Sequence, residues 1–179
     1  GHKRALLPFV NSRRGAPDVV ACLGDDDADV RVLACEALGR IGAVDSVGAL
    51  FPALADADPR VSYASVAAIQ ALGGRETERL AVEAARSADV RVRRAALRIL
   101  SYFGSSSGLE VFLEALSDSD ERVRESAIQG LPFMDDPRAF EALLGAAKAP
   151  EARTRAAAMR SLAQCIGDMR ASAYLLRGL

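Results

Sequence analysis

The sequence repeats itself every 31 residues, and this period constrains the fold more than any other feature of the chain. One column of the repeat, here called the Val column, consists of Val30, Val61, Val92, Val123 and Thr154. The offset of a residue is its distance along the chain from the Val column of its own copy. In all five copies a small residue stands at offset 4, and apolar residues stand at offsets 8 and 11. These offsets lie on one face of a helix with 3.6 residues per turn, so each copy predicts one amphipathic helix.

Both ends of this helix carry recognisable signals. Three residues before the Val column stands an acid in each copy: Asp27, Asp58, Asp89, Asp120 and Glu151. A carboxylate at this place predicts an N-cap and complements the helix dipole. Gly42, Gly73 and Gly104 follow three of the predicted helices and are typical of C-caps.

A second apolar series recurs between these helices. Its members are also 31 residues apart: Val20, Phe51, Val82, Leu113, Leu144 and Leu175. Each copy is therefore predicted to be a hairpin of a helix A, a short turn, and the helix B that carries the Val column. A single hairpin cannot bury its apolar face, so the copies are expected to stack.

The predicted fold class is an all-α, right-handed α-solenoid of about five to six hairpins. Residues 1–2 read as a tag remnant and residues 3–179 as one repeat domain. Its predicted parts are the end of a B helix at 3–12, repeats at about 16–42, 46–73, 77–104, 108–135 and 139–167, and an unpaired A helix at 171–179. Neither end has the polar face of a capping repeat, so we expect a fragment of a longer array.

The motif around the first Val column resembles a known family. Asp27-Ala-Asp-Val-Arg31, followed by Ala34-Cys-Glu-Ala-Leu-Gly-Arg-Ile-Gly42, is similar to the consensus of bacterial HEAT repeats of the phycobilisome-lyase type. The third copy is nearly as close, whereas the fourth departs at Pro132 and the fifth has Thr154 in place of Val. The resemblance implies that B helices line a concave surface, and it says little about function.

A candidate binding face follows from the offsets that the core does not use. Offsets 2, 6 and 9 lie on the outward side of helix B, where the residue type varies from copy to copy. The candidate partner-binding residues on this side are Tyr63, Gln70, Arg94, Arg98, Gln129 and Arg160, with Tyr102 at its margin. Tyr and Arg are enriched in binding hot spots. The period predicts that Tyr63 neighbours Arg94, and the alternative interpretation is an ordinary solvated helix face.

Two columns of arginine accompany the Val column. One follows it, at Arg31, Arg93, Arg124 and Arg155, with Ser62 interrupting the series, and the other precedes it, at Arg60, Arg91, Arg122 and Arg153. For the first column, repetition at the structural period favours Asp–Arg contacts between adjacent repeats. The alternative is a ladder of cations for phosphates or carboxylates.

The residues needed for the common catalytic and metal sites are scarce. The only histidine is His2, which removes His-based nucleophile pairs and zinc sites, and no P-loop or GxGxxG motif is present. Asp25, Asp27, Asp29 and Glu36 match the calcium-ligand spacing of an EF-hand, but Val30 stands where that loop needs glycine. We therefore predict no catalytic residues, no metal site and no cofactor.

The predicted function is a non-catalytic scaffold that binds another protein, through an acidic segment of that partner, on the concave surface. A subunit of an enzyme such as a bilin lyase, and a weak nucleic-acid-binding module, are the alternatives. The 23 basic and 24 acidic side chains argue against generic attraction to nucleic acid, and no apolar run is long enough for a membrane span. The predicted location is the cytoplasm.

Overall fold

The computed structural model describes residues 2–104, 106–134 and 136–165. Within these ranges the chain forms eleven α-helices and no strand. The helices are α1 His2–Leu6, α2 Ala16–Ala21, α3 Ala28–Ile41, α4 Val47–Leu50, α5 Pro59–Leu72, α6 Arg75–Ala84, α7 Val90–Phe103, α8 Leu109–Ala115, α9 Glu121–Gly130, α10 Pro137–Ala146 and α11 Ala152–Gln164. Short 3-10 helices lie at Leu7–Phe9, Arg13–Gly15, Cys22–Gly24, Val44–Ser46, Phe51–Ala55, Ser106–Gly108 and Leu131–Phe133.

The even-numbered helices from α2 to α10 are the predicted A helices, and the odd-numbered helices from α3 to α11 are the B helices. The all-α class and the repeated helical hairpin are confirmed. The predicted unpaired helix at 171–179, Gly1 of the predicted tag remnant and the end of the fifth repeat near Gly167 lie outside the described residues.

The backbone groups into two compact units, Gly1–Ile99 and Leu100–Leu179. In the first unit α2 packs on α3, α4 packs on α5, and the two B helices α3 and α5 pack on each other. In the second unit α8 packs on α9, α10 packs on α11, and α9 packs on α11. Within each unit, helices of adjacent copies therefore bury their apolar faces against one another, as a stack of hairpins requires.

The predicted caps account for most ends of the B helices. Asp27, Asp58, Asp89 and Asp120 each accept a hydrogen bond from the backbone N–H two residues later, at 2.8–2.9 Å. Glu151 makes no such bond, because its longer side chain does not fold back onto the first turn as Asp does. Gly42, Gly73 and Gly104 have φ of 64°, 60° and 64°, the left-handed region that favours glycine. The fourth B helix stops at Gly130, since Pro132 cannot continue its hydrogen-bond ladder and instead lies in a 3-10 turn.

The core follows the period, but it includes more positions of helix B than the predicted offsets 0, 4, 8 and 11. Offsets 4, 7 and 8 are buried in all five copies, and offset 5 is buried in all but the fifth, where Met159 is exposed. On the A helices the predicted Val20 series is half-buried throughout its described members. The fully buried column is one residue earlier and consists of Val19, Leu50, Ala81, Phe112 and Leu143. The register of helix A is therefore one residue away from the sequence-based prediction.

Candidate functional site

In each of the two units, we call the exposed side of the B helices the B-helix face. It consists of the columns at offsets 6 and 10, and the column at offset 2, which is half-buried in three of the five copies, lies beside them. Offset 6 is exposed in every copy, at Glu36, Ala67, Arg98, Gln129 and Arg160. Offset 10 is also exposed in every copy, at Arg40, Ala71, Tyr102, Phe133 and Gln164. Offset 9, which the sequence placed on this face, is half-buried in the first four copies, so Gln70 lies at the margin. Tyr102, predicted as marginal, is 64% exposed and lies within the face.

In the first unit three of the predicted residues meet. The guanidinium carbon of Arg98 lies 5.0 Å from the centroid of the Tyr63 ring, which is cation–π geometry. The Gln70 amide Nε2 donates to the Arg98 backbone carbonyl at 3.2 Å and so links α5 to α7 next to the stacked pair. The Tyr63 side chain remains 60% exposed, so the outer face of its ring is open to solvent.

Arg94 stands in a different environment from the one predicted. The period places it beside Tyr63, but the guanidinium over that ring belongs to Arg98, one helical turn later. Arg94 is half-buried, and its Nε–H is buried with no hydrogen-bond acceptor among the described residues. A buried donor without an acceptor is costly, so this guanidinium would gain from an added acceptor.

The B-helix face of the second unit carries an aromatic group. Tyr102 packs edge-to-face on Phe103, with ring centroids 5.3 Å apart and an angle of 82° between the planes. Phe133, at the same offset in the next copy, is 58% exposed. The sequence analysis missed Phe133, although it follows Tyr102 by 31 residues and the period alone was sufficient to find it.

The remaining predicted residues of the second unit lie around one carboxylate. Glu125 Oε1 accepts from Gln129 Nε2 and from Arg160 Nη2, each at 3.4 Å. Glu125 therefore compensates the positive charge of Arg160. In the first unit, by contrast, Arg94 and Arg98 make the B-helix face cationic.

The two arginine columns have different structural roles. In the first, Arg31, Arg93, Arg124 and Arg155 each donate Nη1 to the backbone carbonyls five and six residues earlier, in the turn between helices A and B. The shared role of this column is to hold the turn of its own repeat, rather than a contact between repeats. Arg31 does both, because its Nε and Nη2 also form a two-pronged ion pair with Asp56 of the next copy, each at 2.8 Å.

Two arginines of the second column contact an acidic side chain of the preceding repeat, the kind of contact that was predicted for the first column. Arg60 pairs with Asp29 at 2.7 Å, and Arg153 pairs with Glu121 at 3.0 Å. Arg91 instead reaches the backbone carbonyl of Asp56 at 3.2 Å. Side chains of this column are exposed, so each pair contributes little to stability by itself.

The carboxylates with calcium-loop spacing are engaged in other ways. Asp27 caps α3, and Glu36 lies within the same helix with its side chain exposed. Asp25 is paired with Lys3 at 2.7 Å, and the hydrogen bond from that ammonium lowers the pKa of the Asp25 carboxyl. Asp29 is paired with Arg4 and Arg60. Among the described residues no group of three or more His, Cys, Asp or Glu side chains is arranged to hold a metal ion.

The cysteines have the properties of core residues. Cys22 and Cys35 are buried free thiols, and Cys165 is half-buried. Burial raises the pKa of the Cys35 thiol to about 12, so it stays protonated at neutral pH. A protonated thiol is a poor nucleophile and a poor metal ligand.

Stacked helical hairpins of one period, joined by recurring arginine contacts, define an α-helical repeat protein. The chain belongs to the HEAT-repeat family, whose sequence pattern it matches over residues 16–82 and 77–163. No curated protein sequence matches the chain.

Solved structures with the same fold are distant in sequence. The chain is similar to the complex of CpcE and CpcF of phycocyanin lyase from Nostoc sp. PCC7120, with 19% identity, a TM-score of 0.62, and coverage of 90% of this chain and 69% of that one. It is also similar to human deoxyhypusine hydroxylase in complex with glycerol, with 20% identity, a TM-score of 0.55, and coverage of 91% and 78%. A third similar structure is that of Kap95p with RanGDP, with 16% identity, a TM-score of 0.68, and coverage of 93% and 26%. At such identities the likeness concerns the fold alone.

In the part of the chain that the structure describes, no helix has the length and apolar character needed to cross a membrane.

Proposed function

We propose that this HEAT-repeat chain is a non-catalytic scaffold that binds another protein on the B-helix face. The observation that carries the proposal is the Tyr63–Arg98 stack, in which a guanidinium lies over a largely exposed ring and the Gln70 amide bonds to the backbone of that arginine. Aromatic rings and arginines that are ordered before binding lose little entropy on association, and such residues dominate many interfaces.

The chemistry of the face indicates the kind of partner. Arg94 and Arg98 supply positive charge in the first unit, and Arg94 has a buried N–H that lacks an acceptor among the described residues. The predicted partner is therefore a protein segment with acidic side chains near an apolar or aromatic residue. In the second unit, Tyr102 and Phe133 offer apolar surface, and the charge of Arg160 is compensated by its pairing with Glu125.

Site-specific photocrosslinking tests the location of the face. A photoreactive phenylalanine analogue is placed at position 63 or 102, and at positions 83 and 141 as controls, which carry exposed glutamates on A helices. In extract of the organism that makes the protein, we expect one defined adduct from positions 63 and 102 and none from the controls. Adducts that form equally at all four positions would contradict the proposal.

A substitution series then tests the chemistry of the face. Arg98→Ala should lose the adduct formed at position 63, over which its guanidinium lies, while the melting temperature changes little, because the Gln70 bond goes to the Arg98 backbone and survives. Arg79→Ala is the matched control, since Arg79 is an exposed arginine of α6 that pairs only with glutamates of its own helix. Equal effects of the two substitutions would refute a specific role of Arg98.

The two alternative functions predict other measurements. A bilin-lyase subunit should give a visible absorption band on mixing with bilin, and a nucleic-acid-binding module should show affinity that falls steeply with salt. The similarity to the CpcE and CpcF complex is one of fold at 19% identity. The protein-binding proposal predicts neither the absorption band nor the salt-dependent affinity.

A further inference from the structure

The junction between the first two copies contains an ion pair whose geometry serves as a reference. Arg31 uses Nη1 to hold its own turn and presents Nε and Nη2, side by side, to the Asp56 carboxylate of the next copy. The pair is sheltered, with side-chain exposures of 17% for Arg31 and 12% for Asp56. The fork of a guanidinium fits both oxygens of a carboxylate, and this two-pronged arrangement is the strong form of the contact.

The junction between the fourth and fifth copies has the arginine without the carboxylate. Arg124 is the counterpart of Arg31, and the residue 25 positions later, where Asp56 stands in the reference pair, is Ala149. The Arg124 side chain donates Nη1 to the carbonyls of Asp118 and Ser119, at 2.7 and 3.2 Å. Its Nε and Nη2 have no partner among the described residues.

A cavity of about 500 Å³ lies where the missing side chain would be. Arg124, Ala149 and Thr154 line it, together with backbone and small side chains of α10. Thr154 is the one member of the Val column that is not valine, so it adds a hydroxyl to the wall. Ala149 and Thr154, the two residues that differ from their counterparts in the other copies, therefore both line this cavity. The volume lies within the usual range of ligand pockets, about 300–1,000 Å³.

Arg124 is the guanidinium that lines the cavity. Asp118 and Glu151 also line it, but Asp118 accepts a hydrogen bond from the backbone N–H of Asp120 and is engaged in the turn. Arg155 donates to the carbonyls of Ala149 and Pro150 and so holds the turn that carries Ala149. Neither Asp118 nor Glu151 accepts a hydrogen bond from Nε or Nη2 of Arg124.

We infer that this cavity is a carboxylate-binding site, in which a ligand carboxylate takes the place that Asp56 occupies beside Arg31. Arg124 supplies the two-pronged contact and Thr154 supplies a hydroxyl. The site lies at the turns between helices A and B, and its residues are different from those of the B-helix face. The carboxylate is either that of a small organic acid or that of an Asp or Glu side chain on a partner protein.

The test follows the Nε–H resonances of the arginines by NMR while sodium acetate is added at constant ionic strength, with sodium chloride as the reference salt. We expect the Arg124 signal to shift and saturate with acetate. The Arg31 signal is the internal control and should not move, because Asp56 already occupies its fork. A parallel titration uses a short capped peptide with one Asp, and its twin with Asn.

Three variants make the test specific. Ala149→Asp should supply the carboxylate from within the chain, abolish the acetate response and raise the melting temperature, whereas the neutral Ala149→Asn should keep the response. Thr154→Val restores the residue of the other copies and should weaken acetate binding about tenfold without unfolding the protein.

Each outcome of these titrations leads to a different conclusion. Saturation by acetate as strong as by the Asp peptide assigns the site to a free acid, and tighter saturation by the Asp peptide than by acetate or the Asn twin assigns it to a partner side chain. An Arg124 signal that moves no more than that of Arg31, or equally in chloride, overturns the inference. So does an acetate response that persists unchanged in Ala149→Asp.

Discussion

At the scale of single residues, Gly130 shows how closely the second unit is packed. A Cβ atom added at Gly130 would lie 2.3 Å from Phe112 Cε1 and 3.2 Å from Ser101 Cβ. Phe112 is the largest member of the buried A-helix column, and Gly130 is the smallest residue at offset 7. The ring occupies the space that a side chain takes in the other copies.

We predict that Gly130→Ala destabilises the protein by about 1–3 kcal/mol, the usual cost of overpacking. Gly145→Ala is the matched control, because Gly145 also lies inside a helix but a Cβ there meets nothing within 4 Å. That control should be neutral or stabilising by up to about 1 kcal/mol. Urea denaturation measures both, and adding Phe112→Leu to Gly130→Ala should restore part of the loss. A control that loses as much as Gly130→Ala would disprove the packing argument.

The Arg31–Asp56 pair gives a prediction about pH. The hydrogen bonds from Arg31 lower the pKa of the Asp56 carboxyl in the folded state. The pair's contribution is therefore complete above the ordinary Asp pKa of about 3.9, and it is lost as pH falls through the lowered folded pKa.

We predict that Asp56→Asn costs about 1.5–3 kcal/mol at neutral pH, the range for hydrogen bonds to charged groups. The amide keeps the bond from the Asp58 N–H but loses the charge facing Arg31. The difference between the variant and the wild type should vanish in acid, as measured by urea denaturation across pH. Glu76→Gln, in an exposed pair with Arg79, should change little at any pH, and a pH-independent loss in Asp56→Asn would rule out an ionic origin.

At the scale of elements, the sequence predicted helix B well because four independent signals agree there. Caps, the Val column, small residues at offset 4 and terminal glycines all mark the same segment. Helix A has weaker signals, since most copies have two adjacent apolar residues, such as Val19-Val20 and Leu143-Leu144. The period cannot decide which of the two faces the core, and the packing of neighbouring helices places the first one inside.

The central B helix α7 offers a test of the core. Leu100 is 2% exposed and contacts the turn at Gly108, where an added Cβ would lie 3.4 Å from its side chain. We predict that Leu100→Ala costs about 2–5 kcal/mol, as deletion of a buried Leu does. Leu6→Ala is the control, because Leu6 is 51% exposed and its truncation should cost below about 1 kcal/mol. Similar losses in urea denaturation would show that Leu100 is not in the core.

At the scale of the whole molecule, the candidate site could be predicted as a face but not as a set of contacts. Offset 6 was predicted on the B-helix face and lies there, whereas offset 9 is half-buried in the first four copies and offset 10 takes its place. The partner of Tyr63 is Arg98 rather than Arg94. A long side chain on a helix leans toward the N-terminus, so the Arg98 guanidinium lies about one turn before its own Cα. A sequence register compares Cα positions and therefore misses this displacement.

The combined substitution Arg94→Ala with Arg98→Ala separates binding from stability. We predict that affinity for the partner identified by crosslinking falls by about 2 kcal/mol or more, as at a hot spot. The loss of an exposed cation–π contact should lower stability by only about 0.5–1 kcal/mol. Calorimetric binding and thermal unfolding measure the two quantities. Full affinity with an intact fold would exclude this group as the site, and a large drop in melting temperature would assign it a structural role.

The fit between Phe112 and Gly130 also bears on how such an array can change by gene duplication. The two residues belong to the A and B helices of one hairpin. A recombination crossover in the turn between α8 and α9 would join the Phe112 ring to a copy with Ala, Ile or Ser at offset 7, or join Gly130 to a smaller residue. The first product is overfilled and the second contains a void. Crossovers between hairpins keep the pair together, so the inherited module is the complete hairpin rather than the single helix.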